Sequence, residues 1–300
     1  MTRLEKRNLR NGLLFCAPWI FGFFALQIYP IFYSFYLSAT DYSGFGRAVF
    51  VGLANFKELF RDPMVGLAAY NTLYYTALAV PIGIVVAILL ALAMNQKVRE
   101  VPVYRAIIYL PSILPAFALV YVWLLFTNPA YGLLSRIFTF LHLPSIDWIG
   151  DRHFTKPSVV ILAQYGAGNA ALIFLASLRS IPRDLYESAE IDGAGIFRKF
   201  FTITLPMITP VILYNMIWGL SAGLQAFTQA YLMASGGGRS GVVGPANSLM
   251  FYVVYIYKTA FQYSRMGYAA AMALFLFAVS ILIALGVFKW GRSWVHYESE

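Results

Sequence analysis

The chain has 300 residues, of which 60% are hydrophobic, 17% are aromatic and only 12% are charged. So few charges do not fit a soluble protein of this length and indicate a membrane protein. The net charge of +9 does not indicate a nucleic-acid partner, because the basic residues are spread over the loops and form no stripe or run. We therefore expect membrane lipid as a partner, and no nucleic acid.

Six stretches are long and apolar enough to cross the hydrocarbon layer as helices, which takes about 20 residues each. None of them contains Asp, Glu, Lys, Arg or His, as the high cost of placing a charge in lipid predicts. The sequence therefore predicts an all-α, polytopic inner-membrane protein with six transmembrane helices in a single domain, residues 1–300. The predicted spans are about 12–37, 70–95, 106–126, 158–178, 207–233 and 267–288.

The first span follows a basic N-terminus, a pattern that also occurs in signal peptides. The apolar run is too long for a signal peptide and no A-x-A-like site follows it, so we predict an uncleaved span. Cys16 is the only cysteine, which excludes an intramolecular disulfide and a cysteine zinc site. His153 and His296 have no partners at metal-ligand spacing, and we predict no metal site.

The distribution of Lys and Arg predicts the side that each connection faces, because cytoplasmic segments carry the excess. The N-terminus, 96–105, 179–206 and the C-terminus hold thirteen of these residues in 61 positions. The connections 38–69, 127–157 and 234–266 hold nine in 96 positions. Both termini and the loop 179–206 are therefore predicted to be cytoplasmic.

One pair of residues in a predicted outer loop has the spacing of a catalytic dyad. His142 and Asp147 match the H-x-x-x-x-D pattern of some acyltransferases, in which a carboxylate orients an imidazole base. No nucleophile or oxyanion motif accompanies the pair, and it lies away from cytoplasmic acyl donors. A membrane acyltransferase is thus a minor alternative, and we predict no catalytic residues.

The one long cytoplasmic connection, 179–206, concentrates acidic residues within nine positions: Asp184, Glu187, Glu190 and Asp192. It is predicted to form two short helices, the first of which has Pro182 in its first turn. Gly193 and Gly195 are expected to supply a turn with positive φ before an amphipathic second helix at 196–203. Carboxylates favour a basic protein partner over the anionic inner membrane surface, although an amphipathic hairpin lying on that surface is the alternative.

The loop also carries a recognisable order of residues: Tyr186-Glu187-Ser188-Ala189, then Ile191-Asp192-Gly193-Ala194, then Ile203-Thr204-Leu205-Pro206. This order resembles the EAA loop of ABC importer permeases. Other segments resemble the carbohydrate-uptake branch of that family, and the resemblance covers nearly all of the chain. These segments include Phe15-x-x-Pro18, Tyr29-Pro30, Val51-Gly52-Leu53-x-Asn55-Phe56, Asn128-Pro129-x-Tyr131-Gly132-Leu133 and Gly267-Tyr268-Ala269-Ala270-Ala271.

The resemblance implies a permease subunit of a binding-protein-dependent importer for a sugar, oligosaccharide or polyol in the inner membrane of a bacterium. Its implied partners are a second homologous permease, an extracytoplasmic solute-binding protein, and two ATPase subunits that bind ATP and Mg; this chain would hold no cofactor. Glu187 would contact basic groups on the ATPase, and Gly193 would permit the bend. The implied ATPase-docking residues are Tyr186, Glu187, Ser188, Ala189, Asp192, Gly193 and Ala194.

Two features depart from the family pattern. Ser188 replaces the middle alanine of the motif, and because serine is also small we expect little effect on close helix approach. The outer loop after the fifth span usually has a short Gly-Gly-Pro turn, whereas here Gly237-Gly238 and Gly244-Pro245 are separated by residues 239–243. The shape of that loop is therefore expected to differ from the family pattern.

The fifth span is predicted to carry the substrate pathway on one face of a continuous helix. With Asn215 at zero and about 100° per residue, a polar arc falls between roughly 220° and 320°, and Gly219 and Gly223 fall near 40° and 80°. We expect the glycines to pack against a neighbouring helix. Gln164 and Asn169 of the fourth span are weaker candidates, and hydrogen bonding between helices is the alternative role for all of these polar groups. The predicted pathway residues are Asn169, Ser221, Gln225, Thr228 and Gln229.

The source of energy is also constrained by what the sequence lacks. The chain has no Gly-Lys dipeptide and so no G-x-x-x-x-G-K-[ST] phosphate loop, which predicts that a separate chain hydrolyses ATP. The six spans contain no carboxylate of the kind that relays protons in carriers. An ion-driven secondary transporter acting without an ATPase remains the alternative function.

Overall fold

The computed structural model describes residues 2–96, 99–236 and 243–295. Within these ranges the chain is almost entirely helical, and its one sheet is an antiparallel ribbon of two short strands, β1 (Thr40–Asp41) and β2 (Val49–Phe50). The helices are α1 (Arg3–Ser38), α2 (Ala54–Leu59), α3 (Pro63–Met94), α4 (Val101–Ile113), α5 (Ala116–Phe126), α6 (Leu133–Phe140), α7 (Arg152–Ser180), α8 (Arg183–Ile191), α9 (Ile196–Met207), α10 (Thr209–Leu224), α11 (Thr228–Gly236), α12 (Tyr252–Tyr257) and α13 (Met266–Gly291).

Four helices in the described part of the chain are long and apolar enough to cross a membrane, namely α1, α3, α7 and α13. They confirm helices at the predicted first, second, fourth and sixth spans. The number becomes six if α4 with α5, and α9 with the helical stretch Thr209–Ser235, each count as one bent span. Six spans and cytoplasmic termini therefore stay predictions.

The predicted span at 106–126 is divided between two helices, α4 and α5. The chain bends by 101° between α4 and α5. Leu114 has extended backbone angles, φ −69° and ψ 140°, and precedes Pro115, which is the N-cap of α5. A residue before proline is disfavoured in the helical region, so the helix ends there.

The prediction of one regular helix over 207–233, at 100° per residue, is wrong. Ile208 separates α9 from α10 with a bend of 63°, and residues 225–227 interrupt the path between α10 and α11. The assumption of 100° per residue therefore fails beyond Leu224. The angular positions that it gave for Gln225, Thr228 and Gln229 do not hold.

The unusual outer loop after the fifth span lies largely outside the described residues, since 237–242 are not described. Lys97 and His296, which entered the sequence predictions, also lie outside. At the described end of the loop, Gly244 has φ +74° and leads into a 3-10 turn at Pro245–Asn247. The side-chain nitrogen of Asn71 donates to the carbonyls of Asn247 and Met250, at 2.9 and 3.0 Å, and so binds this part of the loop to α3.

The contacts divide the chain into two compact units, one formed by Met1–Asp62 and Ile256–Ala278, the other by Pro63–Tyr255 and Val279–Glu300. The prediction of a single domain over residues 1–300 stays a prediction. The second unit has a continuous apolar core in which α3 and α7 supply most of the buried side chains. The largest of these is Phe174, which is fully buried.

In the first unit, polar contacts join the segment before α3 to the start of α13. The two terminal guanidinium nitrogens of Arg265, Nη1 and Nη2, donate to the Glu58 carboxylate, at 2.7 and 2.6 Å. This bidentate pair lowers the pKa of Glu58, because the hydrogen bonds from Arg265 stabilise the ionised form. The Tyr268 hydroxyl donates to Asp62 at 3.0 Å. Two distant stretches of sequence are thereby held together.

Gly267 allows a close backbone approach in the same unit. Its N–H donates to the Tyr42 carbonyl at 3.0 Å, and a Cβ built on it would lie 2.0 Å from the Thr40 carbonyl oxygen. We expect Gly267→Ala to lower stability by about 2–3 kcal/mol, as overpacking does, and the apparent Tm by about 5 °C or more. Thermal unfolding of the purified protein in detergent measures this.

Gly286 of the same helix provides the matched control. A Cβ at this position meets nothing within 4 Å, so Gly286→Ala should leave the Tm unchanged or raise it slightly. Equal Tm values for the two variants would contradict the close approach at Gly267.

Candidate functional site

The acidic loop folds as the predicted helical hairpin, with α8 and α9 as its arms. Pro182 is the N-cap of α8 rather than a residue of its first turn. The turn that follows α8 depends on Gly193, whose φ is +72°, and on an N–H···O bond from Ala194 to Ala189 of 2.8 Å. The expectation of positive φ at Gly195 is wrong, since its φ is −69° and it caps α9 in an extended conformation.

Two side-chain contacts fix the arms of the hairpin to each other. The Tyr186 and Thr204 hydroxyls lie 2.9 Å apart, and Lys199 Nζ donates to Glu190 Oε1 at 2.8 Å. The hydrogen bond from Lys199 lowers the pKa of Glu190, because it stabilises the carboxylate. Thr204 belongs to a π-helical turn, Phe200–Thr204, a geometry that frequently occurs at functional sites. The hairpin is thus held as one element.

The two faces of α8 have different surroundings. Tyr186 packs against the apolar core of the second unit, which anchors the helix. Asp184, Glu187 and Ile191 share the opposite face at spacings of three and four residues, and all three are exposed. Ile191 is 88% exposed and is not covered by any other described part of the chain. The outer face therefore offers carboxylates beside an apolar group.

The seven predicted docking residues occupy different positions on this hairpin. Glu187, Ser188, Asp192 and Gly193 are exposed, whereas Tyr186, Ala189 and Ala194 are half-buried. Sequence reasoning did not include the apolar residues at the tip, although Ile196 and Phe197 are each 80% exposed. Their signal was present in the sequence, since large apolar residues next to a glycine turn in a charged loop have no core to enter.

A cleft of about 300 Å³ lies in the second unit between α3, α7, α10 and α11. Two glycines of α10 let this helix approach α3 closely. A Cβ atom on Gly219 would lie 3.0 Å from Val80, and one on Gly223 would lie 2.8 Å from Thr76. The predicted packing of these two glycines against a neighbouring helix is therefore confirmed. The side chains that give the cleft its chemistry are Tyr75, Gln164, Asn215, Trp218 and Gln229.

Gln164 is the most constrained polar group of this cleft. Its Nε2 donates to the Val160 carbonyl at 2.7 Å and to the Ala79 carbonyl at 3.5 Å. Its Oε1 is buried, and no hydrogen-bond donor among the described residues reaches it. A buried acceptor left unpaired costs about 1–3 kcal/mol, so a donor that reaches it gains affinity. A hydroxyl group of a solute is such a donor.

The predicted pathway residues are only partly brought together. Of the five, Gln229 lines the cleft, while Asn169, Ser221, Gln225 and Thr228 do not. Asn169 and Gln225 are exposed, although each is next in sequence to an alanine that lines the cleft. The break at residues 225–227 changes the direction in which the later side chains project.

Sequence reasoning missed two aromatic residues of the cleft, Tyr75 and Trp218. Tyr75 is buried and its ring lies 5.2 Å from that of Phe251, whereas Trp218 is 69% exposed. Neither differs in the sequence from the many aromatic residues of the membrane segments. Their positions follow from how the helices pack, which no local pattern contains.

The His142 and Asp147 pair does not have the geometry of a catalytic dyad. Asp147 Oδ1 accepts hydrogen bonds from the backbone N–H groups of Ile149 and Gly150, at 3.2 and 2.7 Å. The carboxylate therefore stabilises a turn, and no hydrogen bond or ion pair between described residues joins it to the His142 imidazole. Among the described residues, no group of three or more His, Cys, Asp or Glu side chains could hold a metal ion.

Comparison with known proteins agrees with this architecture. Residues 79–291 match the family described as binding-protein-dependent transport system inner membrane component. A probable ABC transporter permease of Bacillus subtilis is 34% identical, over 99% of this chain and 95% of the relative. An arabinooligosaccharide transport permease of Bacillus subtilis is 30% identical, over 91% of this chain and 85% of the relative.

A solved structure extends the likeness to the whole fold. A chain of a bacterial ABC transporter that imports the acidic polysaccharide alginate superimposes with a TM-score of 0.82 and 25% identity, covering 97% of this chain and 99% of the other. The present chain belongs to the binding-protein-dependent ABC transporter permeases. It is a membrane transport subunit and not an enzyme.

Proposed function

We propose that this chain is the permease subunit of an ATP-driven importer that carries a sugar, oligosaccharide or polyol across the inner membrane of a bacterium. A second, homologous permease, an extracytoplasmic solute-binding protein and two ATPase subunits that bind ATP and Mg complete the assembly. The observation that carries the proposal is the hairpin with an outward Glu187 in the order of the EAA loop. The named solutes of similar permeases, such as arabinooligosaccharides, support the carbohydrate class.

The ATPase is proposed to dock on the outer face of α8 and the tip of the hairpin. Glu187 supplies charge for a basic group, and Ile191 and Phe197 supply apolar area that is not covered within the described chain. An interface that combines an apolar centre with a charged pair gains both affinity and orientation. Tyr186, Ala189 and Ala194 serve the docking from behind, by holding the exposed residues in place.

Movement of the docked ATPase can reach the membrane part through packed side chains. Tyr186 of α8, and Phe200 and Ile203 of α9, pack against a core that includes Ile88 of α3 and Phe174 of α7. The helices α3 and α7 also line the cleft, with Gly83 and Gln164 respectively. A closely packed core transmits displacement instead of absorbing it. The hairpin is therefore proposed to change the width of the cleft.

The cleft suits a neutral, hydroxyl-rich solute. Tyr75 and Trp218 offer aromatic surface on which the apolar face of a sugar ring can stack, and Gln164, Asn215 and Gln229 offer amide groups for its hydroxyls. These five residues line the cleft without a charged side chain among the residues that the structure places there. The second permease is proposed to close the open side.

Uptake by proteoliposomes that contain the complete importer tests the proposal. With ATP enclosed on the ATPase side and a solute-loaded binding protein outside, uptake of the solute should require ATP and should persist when ionophores collapse the ion gradients. If this chain takes up the solute without the ATPase subunits, driven by an ion gradient, the secondary transporter is favoured instead.

A further inference from the structure

We propose that the first turns of α1 form a binding site for the headgroup of an anionic phospholipid. Four cations lie within eight residues at the start of this helix, and every one of them is exposed. The helix then enters an apolar run in which no charged residue occurs before Asp41. The four cations, here called the basic face, are Arg3, Lys6, Arg7 and Arg10.

Helix geometry places the basic face on one side. With Arg3 at zero and about 100° per residue, the four side chains fall between roughly 300° and 40°. Glu5, the one carboxylate of this segment, falls near 200°, on the other side. Its carboxylate also accepts from the Thr2 N–H at 2.8 Å in a capping box. The basic face is therefore not neutralised by its own helix.

No ion pair to another described element neutralises the basic face. Among the described residues, none of the four cations takes part in an ion pair, and the pairs that do form lie elsewhere, such as Arg265 with Glu58. Four like charges separated by one or two helical turns repel one another unless an anion lies between them. A phosphate group satisfies several of them at once through charge-assisted hydrogen bonds.

Apolar residues continue the same side of the helix beyond the basic face. A shallow groove of about 410 Å³ is lined by Lys6 and Arg10 at one end and by leucines at the other, among them Leu13 and Leu14. Both leucines are more than half exposed. A phospholipid has this same order, with an anionic headgroup followed by hydrocarbon chains.

The length of α1 places the basic face at the correct depth. Its 36 residues span about 54 Å at 1.5 Å per residue, whereas the hydrocarbon layer is about 30 Å thick. Part of the helix must therefore lie among the headgroups, and the charged end is the part that water and phosphate solvate. Each Lys or Arg near an anionic membrane surface contributes about 1 kcal/mol of attraction.

A variant with unchanged composition separates a site from general charge. In the quadruple change Arg7→Asn, Asn8→Arg, Leu9→Arg and Arg10→Leu, two cations move to about 140° and 240° while the net charge is preserved. A second variant, Arg3→Lys with Arg7→Lys and Arg10→Lys, keeps every cation on the basic face. The topogenic effect of the charges is the same in all three proteins.

Lipid retention by the complete purified importer is the measurement. After exchange into nanodiscs of equal phosphatidylglycerol and phosphatidylcholine, and extraction into mild detergent, mass spectrometry counts the lipids that remain bound. The wild type and the lysine variant should retain phosphatidylglycerol over phosphatidylcholine by about tenfold, and the rearranged variant should lose most of that preference. Equal retention by the rearranged variant, or no preference in the wild type, would overturn the proposal.

Discussion

Replacing Glu187 by arginine is expected to detach the ATPase subunits from the membrane part of the importer. The side chain lies on the exposed face of α8, so the change leaves the packing of the hairpin intact. Reversal of its charge replaces an attraction to a basic group by a repulsion, and losing a charge pair at an interface typically costs about 2–5 kcal/mol. Co-purification of the ATPase with the tagged permease should fall by more than about tenfold, with a matching loss of solute-stimulated ATP hydrolysis.

Glu100→Arg is the matched control for this change. Glu100 is also an exposed carboxylate, in a connection predicted to lie on the same side of the membrane, but it is outside the hairpin. The same reversal of charge there should leave co-purification within about twofold of the wild type. If the two variants behave alike, the effect belongs to net charge and not to docking by Glu187.

The second large effect is expected in the cleft. Asn215→Leu combined with Gln229→Leu removes two amide groups that line it, while the side-chain volumes stay similar. Each hydrogen bond lost to the solute costs about 1–1.5 kcal/mol, so uptake at low solute concentration should fall about tenfold or more. Initial rates of uptake in proteoliposomes measure this, and co-purification of the ATPase should be unaffected.

Gln225→Leu distinguishes the cleft from the arc that the sequence predicts. Gln225 belongs to that arc. In the structure it is the C-cap of α10, and its exposed side chain does not line the cleft. Its replacement should leave uptake near the wild-type rate. A loss of uptake in Gln225→Leu together with normal uptake in the double variant would show that the pathway follows the arc.

How far the sequence predicts this structure depends on whether a feature is local. The hairpin could be predicted because its signals are local: glycine after an acidic helix, prolines at its ends and an amphipathic repeat. Gly193 has the expected positive φ, whereas Gly195 does not, because one left-handed residue completes the turn. The four long helices could be predicted for the same reason, since apolar composition over 20 or more residues is itself a local property.

Two breaks in the helices were not expected from the sequence. The bend before Pro115 could have been predicted from that proline, but the apolar composition of 106–126 obscured it. Residues 225–227 contain neither glycine nor proline, so no local signal predicts the break there. In the structure Ala226 is buried within the break, and the ring of Phe227 stacks on that of Tyr231, one turn later, at 5.0 Å. The cleft residues Tyr75 and Trp218 come together only through the packing of α3 against α10.

Cross-linking from single cysteines tests whether the hairpin is the docking element for the ATPase. After Cys16→Ser removes the only native cysteine, Ile191→Cys places one thiol on the exposed face of α8, and Phe45→Cys places another on the exposed loop between β1 and β2. With a thiol-reactive photo-cross-linker on the assembled importer, Ile191→Cys should give an adduct with the ATPase and Phe45→Cys should give none. An ATPase adduct from Phe45→Cys, with none from Ile191→Cys, would contradict the account.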